Sequence, residues 1–375
     1  MIRRAHWIAA GLFAALVLAK FSPQTGLTSL IRFGEVWQDR RHTALQGMPV
    51  ATLPGSNGYD GQFYAQIALD PLLRSPDLER ALDAPAYRAR RILVPGTAAL
   101  LGFGKPWWTL QVYALLNVLC WLALGSMLRQ VIGQSDWQSF ARWAGCMFSM
   151  GVLESVRQSL VDLPALLLLV LAVRAAAQTG TSKGTTLWLA LANLAKESTL
   201  PGAIALSGDG LFAKGRRGRT LLAMLLATAP IALWSFYVQQ RFCGATSDIG
   251  NALGNFSWPF RGLLAQASLS VSELLQGNFD GRYVFGLVAI IGLPVQAVVL
   301  WRKPAFASPW WRVGAAYSLL LPFLGLWVWS GYWAACRALL PLTVAFNLLL
   351  PAGRAFWPLW ALGNLTMLHA LWRFL

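Results

Sequence analysis

The residues best suited to do chemistry lie in one short string, Gly58-Tyr59-Asp60-Gly61-Gln62-Phe63-Tyr64, with a second group at Asp83 and Tyr87-Arg88-Ala89-Arg90-Arg91. Asp60 stands just before a helical pattern carried by Phe63 and Ile67 and ended by Pro71. A carboxylate there has two readings. It can N-cap the helix, or, at an element end beside a membrane face, it can take a proton from a bound hydroxyl. Lys196-Glu197 puts a cation and an anion between two short apolar runs, which is costly unless they pair with each other or line a wet cavity. Arg157 and Asp162 pose the same choice, and of Glu154 and Asp162 the second is the stronger candidate to face a cavity. Asp70 precedes Pro71 and Asp83 precedes Ala84-Pro85, so turn chemistry accounts for both. Arg90 and Arg91 are adjacent and on a helix point different ways. Four cysteines (Cys120, Cys146, Cys243, Cys336) form no CxxC pair. The three histidines (His6, His42, His369) form no HExxH motif, so no metal ligand set is predicted.

The elements that must hold these residues are apolar. The chain has 375 residues, of which 56% are hydrophobic and 12% charged, about half the roughly 25% charge of a soluble domain. Mean hydropathy is +0.51. Stretches of about 20 apolar residues suffice to span a bilayer, fewer where it thins. Candidates are 7–22, 107–128, 140–155, 159–174, 185–195, 198–213, 220–240, 283–301, 313–330, 338–351 and 356–372, with 92–104 shorter still. The expected fold is all-α: a polytopic transmembrane helical bundle of about 10–12 hydrophobic segments, forming a single membrane domain over 1–375. Residues 23–91 and 241–282 exceed turn length and are expected as two extracytoplasmic loops with interfacial helices, the second around Phe260 to Leu275.

The net charge of +16 sits in short loops between apolar runs, as the positive-inside rule predicts, with anionic lipid as a second partner for it. It is not clustered as nucleic-acid binding requires, so no nucleic-acid partner is expected. The basic loop Lys214-Gly215-Arg216-Arg217-Gly218-Arg219 should be cytoplasmic, along with Arg302-Lys303 and Arg3-Arg4. Counting from both ends then agrees on an outer position for 23–91, 155–162 and 195–198 only if 92–104 does not fully cross or another short segment is miscounted. Residues 1–20 have the pattern of an uncleaved first transmembrane helix. Trp107-Trp108, Trp310-Trp311, Trp327/Trp329/Trp333 and Trp357/Trp360 mark segment ends, as in interfacial aromatic belts.

The Tyr59-Asp60-Gly61-Gln62-Phe63-Tyr64 string, followed by Tyr87-Arg88-Ala89-Arg90-Arg91 and Pro95, resembles the GT-C superfamily of membrane glycosyltransferases, which use polyprenyl-phosphate sugars. It is similar to the WDGQWY-type loop of GPI mannosyltransferases and of bacterial proteins of cell-surface polysaccharide assembly. Tyr59 stands where the mannosyltransferases carry Trp. The layout likeness spans the chain, and the specific likeness is confined to 58–95. The resemblance implies Asp60 as general base on an acceptor hydroxyl, inversion at the sugar, and a site in the cytoplasmic (inner) membrane facing the periplasm or exterior. The implied partners are a polyprenyl-phosphate-linked sugar donor, a glycan or lipid-linked acceptor, and membrane lipids.

Tyr59, Gln62, Tyr64, Arg88, Arg91, Arg157, Asp162, Lys196, Glu197 and Arg337 are the implied substrate-binding residues. The arginines and Lys196 are candidates for the leaving phosphate. Arg337, in Tyr332-Trp-Ala-Ala-Cys-Arg337-Ala-Leu-Leu-Pro341, is similar to the arginine that opens a late helix in this superfamily; its plainer role is a snorkelling interface arginine. The pattern is Asp-Gly-Gln rather than Asp-x-Asp, so a divalent cation is not required, although phosphate and a few carboxylates would suffice for Mg or Mn. The competing function is a transporter or flippase of lipid-linked saccharides, whose paired halves are not visible here. A non-catalytic membrane scaffold is the third.

Overall fold

The computed structural model describes residues 2–179, 182–212, 215, 217–242 and 254–375. Lys214 and Arg216 of the basic loop, Cys243 and residues 243–253 of the second long loop lie outside the described residues. Cys120, Cys146 and Cys336 are free thiols.

The chain is mostly helical. It opens with α1 (Ile2–Leu18). A loop follows whose only paired strands are two residues each, Phe33–Gly34 and Thr52–Leu53, parallel with Phe33 opposite Thr52. Four short helices come next: α2 (Gly61–Leu69), α3 (Asp77–Arg80), α4 (Pro85–Ala89) and α5 (Leu93–Leu101). The central part comprises α6 (Pro106–Ile132), α7 (Trp137–Met147), α8 (Met150–Arg157), α9 (Asp162–Thr179), α10 (Lys183–Ala195), α11 (Leu200–Phe212) and α12 (Arg217–Arg241). The last part comprises α13 (Arg261–Leu275), α14 (Gly281–Arg302), α15 (Pro309–Leu320), α16 (Leu326–Ser330), α17 (Tyr332–Ala338), α18 (Leu340–Leu349), α19 (Phe356–Asn364) and α20 (Thr366–Phe374).

Among the described residues three helices, α6, α12 and α14, are long and apolar enough to cross a membrane. The α17–α18 pair makes a fourth if its 65° bend is counted within one span. That is fewer unbroken spans than the 10–12 apolar segments read from the sequence, because several of those segments are interrupted. The 140–155 run splits between α7 and α8, where Ser149 turns the chain and its hydroxyl donates to the Cys146 carbonyl at 2.9 Å. The α17–α18 bend sits just before Pro341, which lacks an N–H and disfavours helical geometry at the residue before it. At nine residues α5 is about 14 Å long, half the roughly 30 Å of a hydrocarbon core, so 92–104 does not cross by itself.

Pro106 starts α6 at a position where no N–H is needed, and Gly133 at φ +82° ends it. Its buried face, including Leu110, Tyr113, Trp121 and Leu124, belongs to the same apolar core as Ile31, Phe33, Phe63 and Ile67 from the 23–91 segment. That segment therefore packs into the helical body. The expected amphipathic stretch in the second loop is α13, which leaves Leu264, Leu269, Val271 and Leu275 exposed. Helix α12 leaves Leu221, Leu225, Leu233 and Phe236 on the outside, an arrangement favourable against lipid rather than water. Between helices the core uses paired amides. Asn347 and Asn364 donate to each other's side-chain oxygens at 3.0 and 3.1 Å, and Gln296 donates to the Gly363 carbonyl at 2.7 Å, as expected where polar groups join apolar helices.

Candidate active site

The turn that presents Asp60 is built from two glycines. Gly58 has φ +69°, and a Cβ there would lie 2.5 Å from the Gly34 nitrogen and 2.6 Å from the Arg32 carbonyl oxygen. At Gly61 a Cβ would lie 2.0 Å from the Gln158 carbonyl oxygen. The string is thus wedged between the Arg32–Gly34 segment and the α8–α9 junction, and no larger residue fits at either glycine. The Tyr59 N–H donates to the Arg32 carbonyl at 3.1 Å. Gln62 spans the gap, accepting from the Gly34 N–H at 3.0 Å and donating to the Asn57 carbonyl at 2.7 Å. One turn on, Gln66 accepts from the His42 N–H and donates to the Ala81 carbonyl. The two glutamines lie on one helix face and tie α2 to the loop on both sides.

Asp60 occupies the cap position of α2, yet its side chain makes no capping bond. The capping role is therefore not what holds the carboxylate. It accepts instead from the Arg88 guanidinium at 2.9 Å, lies 3.9 Å from that of Arg337, and keeps 27% of its side chain exposed. Its cations are largely covered, at 10% and 11%. Asp60 is therefore one of three half-exposed carboxylates, with Asp83 and Glu197, in a set whose cations are mostly buried.

That set is continuous. Arg88 also grips Asp83 with two bonds of 2.8 and 2.7 Å and donates to the Tyr64 hydroxyl at 3.3 Å. Arg91 donates to the same hydroxyl and, at 2.9 and 2.5 Å, to both oxygens of Glu197. Lys196 turns the other way and pairs with Asp162 at 2.5 Å, while Arg337 stands 3.5 Å from the second Asp162 oxygen. Arg337 and Trp333 both donate to the Tyr59 hydroxyl, at 3.2 and 2.8 Å. Four cations (Arg88, Arg91, Lys196, Arg337) thus meet four carboxylates (Asp60, Asp83, Asp162, Glu197). Asp162, Lys196 and Arg337 also line a cavity of about 20 Å³, room for about one water.

Burial by itself would push the Asp60 carboxyl up, but Arg88, Arg337 and Arg91 outweigh it and hold it below the usual carboxylate range. Burial likewise acts against Glu197, and Arg91 overrides it, bringing that carboxyl down to about 2. The Tyr59 hydroxyl is pushed up to about 12 by burial, with Arg337 pulling the other way. Asp60 is therefore ionised and Tyr59 protonated at neutral pH. Each carboxylate above is already matched by a guanidinium or ammonium group, and no group of three or more His, Cys, Asp or Glu among the described residues could hold a metal ion.

The structure brings together Tyr59, Asp60, Tyr64, Arg88, Arg91, Asp162, Lys196, Glu197 and Arg337. It sets Gln62 apart: 1% exposed, with both ends of its amide bonded to backbone, it ties the loop together. Arg157 pairs with Glu154 at 3.6 Å and not with Asp162, so it belongs to an adjoining cluster. Lys196 and Glu197 take separate partners from different segments and do not pair with each other. Asp83, read from sequence as a turn residue, accepts two bonds from Arg88, whereas Asp70 does serve a turn, accepting from the Ser75 N–H at 2.6 Å. Sequence reasoning missed Trp333, whose indole N–H reaches Tyr59 from 274 positions away. Its only signal was membership of an aromatic cluster. No protein family, curated protein or solved structure matches this chain.

Proposed function

We propose that this chain is a membrane glycosyltransferase of GT-C type. It would move a sugar from a polyprenyl-phosphate donor to a hydroxyl of a glycan or lipid-linked acceptor, at the outer face of the cytoplasmic membrane. The observation that carries this reading is the Asp60 carboxylate, released from capping, ionised, partly exposed, and flanked by Arg88 and Arg337. In the step proposed, the acceptor oxygen forms a bond to the anomeric carbon while the carbon–oxygen bond to the lipid phosphate breaks. The phosphate leaves with the bonding pair, the hydroxyl proton passes to Asp60, and the configuration inverts. A carboxylate held at low pKa is a weak base. Proton transfer would therefore follow carbon–oxygen bond formation, when the attacking oxygen has become acidic. Arg337, on the bent α17–α18 pair, and Arg88 would balance the phosphate charge. No step is assigned to a metal.

A saccharide transporter is the second reading. It leans on the broken α17–α18 pair, since interrupted helices line many transport sites. The deciding experiment compares surface glycans of a deletion strain complemented with wild type or with Asp60→Asn. Under the transferase reading D60N reaches the membrane in normal amount and leaves the glycan truncated. A D60N strain with the full wild-type glycan profile sinks it.

A further inference from the structure

Beside the balanced charges around Asp60 lies a second group that is not balanced. Glu154 is 2% exposed and accepts from Arg373 at 2.8 Å, with Arg157 at 3.6 Å from its other oxygen. The Arg32 side chain interacts electrostatically with both Glu154 and Arg373 but forms no hydrogen bond or ion pair among the described residues. Two guanidinium groups therefore contact one carboxylate, and a third, that of Arg32, lies within electrostatic reach of it. The side chains of Arg157 and Arg373 are 19% and 18% exposed, so the group is neither sealed nor freely solvated. Half-buried, unmatched positive charge is costly among apolar helices. Burial, together with Arg32 and Arg373, draws Arg157 down to about 10 even though Glu154 acts the other way.

The donors are also unfilled. The Arg373 Nε–H is buried without a partner, and the Arg32 guanidinium donates to none of the described residues. Arg32 holds a left-handed backbone at φ +64°, a conformation a bulky residue keeps only where its surroundings enforce it. Its carbonyl is the acceptor for the Tyr59 N–H. Arg373 stacks over Trp333 with its guanidinium carbon 4.5 Å from the ring centroid, and Trp333 donates to the Tyr59 hydroxyl. The cationic group thus adjoins the Asp60 turn from two sides without sharing an ion pair with it.

We infer that Arg32, Arg157 and Arg373 form a binding site for a phosphoryl group carrying about two negative charges, which completes the charge balance that Glu154 alone leaves short. Guanidinium forks match phosphate oxygens with paired donors. The same chemistry is offered by a phosphate-bearing lipid headgroup and by free pyrophosphate. The site does not depend on the transferase reading.

The test follows thermal unfolding of the full-length protein against two probes: pyrophosphate added to detergent-purified protein, and phosphatidic acid titrated into phosphatidylcholine nanodiscs. A saturable rise with phosphatidic acid alone assigns a lipid headgroup, and a rise with both assigns the phosphoryl group itself. In Arg32→Gln, which removes charge without breaking a bond in the protein, the concentration for half the effect rises about tenfold, the loss of one charge-assisted bond. Arg157→Gln acts in the same direction, and Asp60→Asn retains the effect, which separates this site from the transfer chemistry. No saturable rise with either probe, or an unchanged rise in both R32Q and R157Q, overturns the inference.

Discussion

The Arg91–Glu197 pair ties the α4–α5 connection to the α10–α11 junction, and Glu197→Gln tests how much that tie contributes. Glutamine keeps the shape and one acceptor but removes the charge facing a guanidinium that is 6% exposed. The magnitude follows from the carboxyl itself. It lies at about 2 against an ordinary 4.5, and at about 1.36 kcal/mol per pH unit the gap amounts to roughly 3 kcal/mol. Glu197 is 31% exposed, and solvent screening reduces this to about 2 kcal/mol. Removing one partner of a fully buried pair would cost about 3–5 kcal/mol; the exposed carboxylate and the remaining Arg91–Tyr64 bond place this case below that range.

The pH dependence has a definite sign. The folded carboxyl titrates below the unfolded one, so the stabilisation is present above about pH 4.5 and is lost as pH falls from there toward about 2. Thermal unfolding of detergent-solubilised protein should therefore show E197Q melting about 4 °C below wild type at pH 7. The gap should narrow as both are taken to pH 3.5. Coincident melting at pH 7, or a gap that does not change with pH, would refute the argument.

Two further substitutions test the turn that carries Asp60. Gly61→Ala drives a methyl group into the Gln158 carbonyl at 2.0 Å, and should cost about 3 kcal/mol or more, read as loss of folded protein in size-exclusion chromatography. Gly11→Ala, where nothing lies within 4 Å of a new Cβ, is the control and should gain up to about 1 kcal/mol from helix propensity. Tyr59→Phe leaves the Trp333 indole and one Arg337 donor without their shared acceptor. It should lower stability by about 2 kcal/mol, measured by thermal unfolding at pH 7, and an unchanged melting temperature would show that water replaces the hydroxyl.

Much of the site was legible because its densest part is local. The string 58–64 brings the carboxylate, both turn glycines and Tyr64 within seven positions, and Arg88 and Arg91 follow within one loop. Asp162, Lys196 and Arg337 were visible as charges stranded beside apolar runs, where an ionisable group is costly without a partner. What that reasoning could not supply was the partner. Lys196 and Glu197 are neighbours in the chain, yet the extended backbone at Lys196 (φ −162°, ψ 127°) separates their directions, and their counter-charges come from α9 and from the turn before α5. Gln62 looked like a ligand-facing polar residue only because the backbone groups it satisfies are invisible without the fold.

Apolar composition and its segmentation determined by themselves that the chain is helical, with helices able to cross a membrane, since a run of about 20 apolar residues needs no distant partner to be recognised. Tertiary structure alone decided which apolar runs stay continuous and which break, because a break depends on what can satisfy the freed backbone groups, as at Ser149 and before Pro341. It alone decided the charge arithmetic as well. Arg32, Glu154, Arg157 and Arg373 are spread over most of the chain, and only folding shows that Arg157 and Arg373 meet Glu154, with Arg32 in electrostatic reach, while four cations meet four anions next door. Electrostatic energy depends on distance in space, and sequence separation carries almost none of that information.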